Sequence, residues 1–311
     1  MASVLPTLVK SYNLVQNQSY TTSSVVATDN KAMVLAIVNQ LITWGWTCKG
    51  SGSTGSGGAR DNTNRWATVT NIVASAWIEI YNATMGFYLC IQNDGSNGGT
   101  FTWKGSYVGF SGGSPSATVS GTAADSFNAN YGGGAYYPIS NTTFSAKWHG
   151  WQSTDGYINK IVVYYNSIPT FFLHIEKPTN AVAGFPNVIA SIGDQGNSST
   201  NNRAIMANIF WYTYESSALR TYSPVEATLH GSTAIQALTA VNIHDNNWCL
   251  SPLGFGSSTA AIYGLSGWCM DTYLIASSIQ EGAALPATGA RTWVVVGDMV
   301  LPWSDVAMQV T

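Results

Sequence analysis

The stretch HGWQSTDG, residues 149–156, places an imidazole, a hydroxyl and a carboxylate close together as His149, Ser153 and Asp155. These are the parts of a base-activated nucleophile. Their closeness argues against that role, because a triad gathers side chains from separate segments and a short turn does not hold three of them in mutual hydrogen-bonding geometry. Ser153-Thr154-Asp155-Gly156 has instead the make-up of a hairpin turn, with Asp-Gly supplying the positive φ. His174 and Glu176 stand two apart in FFLHIEKP, so in a strand both project from one face. Such a pair suits a base or a metal, but a solvated strand face accounts for it with fewer assumptions. His244 and Asp245 are adjacent and diverge in any extended segment, and His230 is isolated.

Other chemistries fare no better. Glycoside hydrolysis needs two carboxylates about 5 to 9.5 Å apart; Asp125, Glu176, Glu215, Asp271 and Glu281 are available, and no motif pairs them. NDGSNGG lacks the alternating acids of a calcium loop. The glycine-rich run from Cys48 to Trp66 lacks the Gly-x-x-x-x-Gly-Lys-Ser/Thr order of a phosphate loop. Cys48, Cys90, Cys249 and Cys269 are too widely spaced for a zinc knuckle. Buried free thiols are the leading expectation for them, and Cys249 with Cys269 is the first pair to test for a disulfide. The expectation is no catalytic residue, no cofactor and no metal site, hence no enzyme.

The elements that would position these residues are mostly strands. SAWIEIYN, GFYLCIQN, TFTWKGSY, TFSAKWHGW, INKIVVYYN and PTFFLHIEK are short runs rich in aromatic and β-branched residues, separated by NDGSNGG, SGGSPS and NYGGGAYYP. WIEIYN and FYLCIQN, joined through ATMG, form the clearest hairpin. Further strands are expected around PVEATLHG, CLSPLGFG, AAIYGLSG and RTWVVVGDMVLPW. One segment, ATDNKAMVLAIVNQLITWGW, reads as a helix: Met33, Ile37 and Leu41 recur every fourth residue beside Val34, Val38 and Ile42. Thr28 or Asp29 is the expected cap and Gly45 the stop. Residues 48–66 and 194–202 read as exposed loops, because glycine, serine and asparagine bury little apolar area. The predicted fold is mainly β: an antiparallel sandwich or barrel with one N-terminal amphipathic helix packed on the sheet. Residues 1–311 are expected to form a single β-rich domain, with a core body at 1–178 and a C-terminal half at 179–311 as the alternative division.

Only 9% of the 311 residues are charged, against roughly 25% in an ordinary soluble domain. Ser, Thr, Asn and Gly supply the polarity, so the surface is hydrogen-bonding rather than ionic. With a formal net charge of -3 and no basic cluster, nothing gathers phosphates, which argues against nucleic acid. No run approaches the ~18 apolar residues of a membrane span and the N-terminal residues do not read as a signal peptide; a non-secreted chain with no membrane partner is expected. A weakly charged surface is poorly protected against association. Twelve Trp, 16 Tyr and 10 Phe suit strands, contact surfaces or, where exposed, sugar stacking.

The runs WTCKGS, DNTNRW, WIEI, FYLCI, GFSGGSPSATVSGTAADSF and HGWQSTDGYINKIVVYYNSIPTFFLHIEKP together resemble a family of uncharacterised virion structural proteins of tailed bacteriophages, over roughly residues 1–178. The resemblance implies that the Ser-Thr-Asp-Gly turn and its flanking strands are scaffold, with no catalytic role to carry over. It also implies synthesis in the host bacterial cytoplasm and a place in the virion as head decoration, collar or neck, tail or baseplate. The expected partners are further copies of the chain, as a homo-oligomer, and other virion structural proteins. The alternative expectation is a carbohydrate-binding module that stacks host glycans on exposed rings such as Trp103, Trp148 or Trp151.

Overall fold

The computed structural model describes residues 10–21, 26–54, 57–93, 101–106, 109–111, 118–119, 126–131, 145–165, 168–177, 188–194, 211–215, 218–225, 251–257, 265–274, 284–288, 291–296 and 299–305. The first half of the chain runs β1 (Tyr12–Thr21), α1 (Val26–Thr43), β2 (Thr47–Thr54), β3 (Gly57–Ala59), β4 (Trp77–Asn82), β5 (Phe87–Asn93), β6 (Phe101–Ser106), β7 (Phe110–Ser111), β8 (Thr118–Val119) and β9 (Ser126–Tyr131). It continues through β10 (Ser145–Ser153), β11 (Ile158–Tyr165), β12 (Ile168–Glu176), β13 (Val188–Asp194), β14 (Trp211–Glu215) and β15 (Ala218–Val225). The last strands are β16 (Ser251–Ser257), β17 (Leu265–Leu274), β18 (Ala284–Thr288), β19 (Arg291–Val296) and β20 (Met299–Asp305).

All pairings among the described residues are antiparallel. A 12-stranded sheet has the order β1-β10-β11-β12-β13-β14-β15-β16-β17-β20-β19-β18, and a 6-stranded sheet the order β3-β2-β4-β5-β6-β9. β7 and β8 form a separate pair. The pairing of β12 with β13 carries the large sheet across residue 178.

The two sheets share one core in a sandwich-like arrangement. Alternation sends Ile78 and Ile80 of β4, Phe87, Leu89 and Ile91 of β5, and Phe101 and Trp103 of β6 to the same face. From the large sheet come Ala146 and Trp148, Ile161 and Val163, and Phe171, Leu173 and Ile175. Trp103 meets Phe171 with ring centroids 5.1 Å apart, and the amide of buried Asn159 links the layers, accepting from Trp46 Nε1 at 3.5 Å. The end of β12 also meets the β4–β5 turn, with Lys177 Nζ donating to the Thr84 carbonyl at 2.9 Å.

The helix adds Met33, Val34, Ile37, Val38 and Leu41, all fully buried, to this core. It is the one α-helix among the described residues, and it is not the N-terminal element: β1 precedes it and pairs with β10. Thr28 and Asp29 fall inside its first turns rather than at its cap, since the helix begins at Val26. The stop is as expected. Gly45 has φ +89°, its N–H donates to Ile42 and that of Trp46 to Leu41, closing the last turn in a Schellman arrangement.

The glycine-rich run after the helix departs from the loop expectation. Residues 47–54 and 57–59 are β2 and β3, an antiparallel pair stitched to β4. Hydrogen bonding to β4, rather than apolar side chains, fixes it as strand. Residues 60–64 that follow are exposed as expected. Of the second expected loop, Asp194 closes β13 and residues 195–202 lie outside the described residues.

Candidate functional site

Residues 145–176 form three strands, β10, β11 and β12, joined in sequence. The Ser-Thr-Asp-Gly turn links the first two as expected. Gly156 has φ +77° and donates its N–H to the Ser153 carbonyl at 2.8 Å. Ser153 Oγ donates to Asp155 Oδ1 at 2.6 Å and accepts from the Ile158 N–H at 2.9 Å. Lys10 pairs with the other carboxylate oxygen of Asp155. Burial works against ionising Asp155, but hydrogen bonds from Lys10, Ser153 and the Tyr157 N–H outweigh it and hold the carboxyl below its usual range. Ser153 and Asp155 are thus committed to the turn. His149 stands four residues up the strand, about 13 Å away at ~3.3 Å per residue, with its ring against Trp151 and Tyr164. No triad is assembled.

The second group is buried rather than solvated, which corrects the reading of His174 and Glu176 as a solvent-washed face. His174 is 0% exposed and Glu176 5%, with His174 Nε2 3.1 Å from Glu176 Oε2. Lys160, directly opposite His174 in the β11–β12 register, is also fully buried, and its Nζ lies 5.7 Å from the Tyr12 ring centroid. His149 shares the face, also buried. Burial disfavours the charged imidazole at both histidines. It pushes His149 down to about 4, with Lys147 adding to the effect. For His174 burial dominates and Lys160 reinforces it, while Glu176 opposes.

An imidazole held by a carboxylate is a base with its orienter. Here it is sealed: neither ring nor lysine reaches solvent, so no substrate atom meets them in this conformation. What the cluster does is fix register. A one-residue slip of β12 would move His174 and Glu176 to the opposite face, among Ile161 and Val163, and strand Lys160 without them.

A third ionic site was not singled out from sequence. Glu79, at the centre of β4 and 1% exposed, accepts from Arg60 NH2 at 2.7 Å. Arg60 NH1 also donates to the Phe110 carbonyl. Burial pushes the Glu79 carboxyl up to about 7, against the opposing pull of Arg60, a hydrogen bond from the Phe110 backbone and Lys49. A signal did exist: Glu79 lies between Trp77 and Tyr81 on its own face and between Ile78 and Ile80 on the other, so a central strand here has no solvent side. Lys160 carried part of that signal, with Ile158 and Val162 beside it on its own face but Asn159 as well as Ile161 on the other.

The remaining candidates are dispersed. Trp103, Trp148 and Trp151, the proposed sugar platforms, are 0%, 2% and 1% exposed. Cys90 is buried and Cys48 half-buried, and burial pushes the Cys48 thiol up. Glu215 closes β14 and Asp271 lies in β17; Cys269 is also in β17. Asp125, His230, His244, Asp245, Cys249 and Glu281 lie outside the described residues. Among the described residues no three His, Cys, Asp or Glu side chains gather as a metal site, and no helix is long and apolar enough to cross a membrane. No protein-family model and no curated protein matches the chain.

Proposed function

We propose that the chain is a structural subunit of a tailed-bacteriophage particle, present in several copies and bridging other virion proteins, with the two sheets as the layers of its sandwich. The observation that carries this reading is where the charge goes. The sequence has 12 basic and 15 acidic residues in 311, and among the described residues Glu79, Lys160 and Glu176 are buried. What is left for the surface is sparse, so contact with a neighbour desolvates few ions and the cost of association is low. The resemblance of residues 1–178 to virion structural proteins supplies the setting, and the commitment of Ser153 and Asp155 to a turn fits a non-catalytic scaffold.

The glycan-binding alternative requires exposed rings, and the three tryptophans named as examples of them are buried. Native mass spectrometry of the purified chain tests the proposal: a defined ring or other closed oligomer supports it, and a monomer at all concentrations, with turnover of any polysaccharide substrate, removes it.

A further inference from the structure

Residues 57–66 form a strap at the edge of the six-stranded sheet: β3 is laddered to β2, and the chain then wraps from the face that carries Glu79 to the face that carries Ile78 and Ile80, where Trp66 enters the core. Its far end is tied down by hydrogen bonds whose protein partners do not titrate near neutrality: Ser51 Oγ to the Thr63 carbonyl at 2.5 Å, the Arg65 N–H to Ser51 Oγ at 2.8 Å, the Arg65 guanidinium to the Ser51 carbonyl at 3.1 Å, and Trp66 Nε1 to the Gly52 carbonyl at 3.1 Å. Its near end is held by the β2–β3 ladder and by the ion pair from Arg60 to buried Glu79. Gly50 is the cross-strand partner of Glu79, and a Cβ on it would stand 2.9 Å from the Ala59 carbonyl oxygen and the Arg60 Cα. The strap backbone therefore lies directly on β2 beside Glu79, a fit that only glycine at position 50 permits. Arg60 then bridges the Glu79 carboxylate and the Phe110 carbonyl.

We propose that Glu79 makes the near end of this strap a proton-controlled cover, closed while the carboxyl is neutral and loosened as it ionises, with Arg60 as the partial counter-ion that limits the opening. The direction follows from linkage. A carboxylate under the strap is desolvated, whereas lifting the strap returns it to water, so the open form is the stronger acid and a rise in pH favours it. The raised pKa of Glu79, about 7, places the change near neutrality. The charged and titratable groups around it are Arg60 from the strap, Lys49 from β2, Tyr81 from β4, Cys90 and Tyr88 from β5, and Lys104 from β6. Tyr88 is pushed up by burial and by Tyr81 and Glu79, away from the relevant range. Asp61, next to Arg60, is paired with Arg65 and pulled well below the usual carboxylate range.

Amide hydrogen exchange on the full chain, corrected for the intrinsic rate and read at about pH 5.5 and about pH 8, tests this. Protection of residues 57–62 is expected to fall on the order of tenfold at the higher pH, while residues 63–66 change little. Glu79→Gln removes the titration, so its protection should be equal at both values. Arg60→Ala removes the counter-ion from a half-exposed position and should make the fall steeper than in the parent chain. Should Glu79→Gln not fold, the steeper Arg60→Ala response alone carries the result. Protection that is independent of pH in both the parent chain and Arg60→Ala, or an unchanged fall in Glu79→Gln, overturns the proposal.

Discussion

Buried titratable residues give this protein two opposed responses to pH. His149 is neutral when folded because burial and Lys147 depress it from 6.5 to about 4. Its contribution to stability is complete above about pH 6.5 and is lost as pH falls towards about 4, because the unfolded chain takes up the proton first. His174, also depressed by burial, acts in the same direction. Glu79 acts oppositely: raised from 4.5 to about 7, it contributes most below about pH 4.5 and loses that contribution as pH rises through 7. His149→Phe should therefore flatten the acid side of a plot of unfolding midpoint against pH, and Glu79→Gln the neutral side; equal slopes in variant and parent would contradict the assignments. Glu176→Ala removes the partner of His174 at 3.1 Å and should cost about 1–3 kcal/mol in urea unfolding. Residue identity alone did not show that His174 and Glu176 are buried, because a His-x-Glu pair looks alike on a wet and a dry face. The flanking residues held more: a strand apolar at both i±1 and i±2, as around Glu79, has no side left for water.

The strands and helix were legible where their periodicity was strong. WIEIYN, FYLCIQN, INKIVVYY and the helix around Met33 to Leu41 stand within a few residues of their expected bounds. The β2–β3 pair was not legible, because its strand character comes from backbone hydrogen bonding and close approach at Gly50 and Gly58 rather than from side chains. β10 makes a similar demand at Gly150, where an added Cβ would lie 2.7 Å from Trp44 Cη2 and 3.1 Å from Trp148 Cζ3. The Trp44 ring packs where that side chain would be, and the Gln152 side chain donates to the Trp44 carbonyl at 2.6 Å, fixing the helix end to the sheet. Gly150→Val should displace the ring and destabilise the fold by about 1–3 kcal/mol, read as a lower denaturation midpoint with an unchanged m-value. A neutral result would mean that Trp44 is not the clamp between α1 and β10.

At the scale of the molecule, the composition reads as an economy of charge. Ions are few, and some of them are placed inside, where they set strand register or hold a strap, while hydroxyls and amides supply most of the remaining polarity. An assembly built from such surfaces should be held by apolar contact and neutral hydrogen bonds, whose strength does not depend on screening. The proposed oligomer is therefore expected to persist from about 0.05 M to about 1 M salt by light scattering; dissociation on adding salt would place ion pairs at the interface and contradict this account of the surface. The most direct test of the structural role is quantitative mass spectrometry of purified phage particles that encode this chain, scaled to the major capsid protein. The account predicts a fixed copy number set by particle symmetry: near that of the capsid protein for head decoration, or a small multiple of five or six for vertex, collar or tail. Absence of the chain from the particle would contradict it.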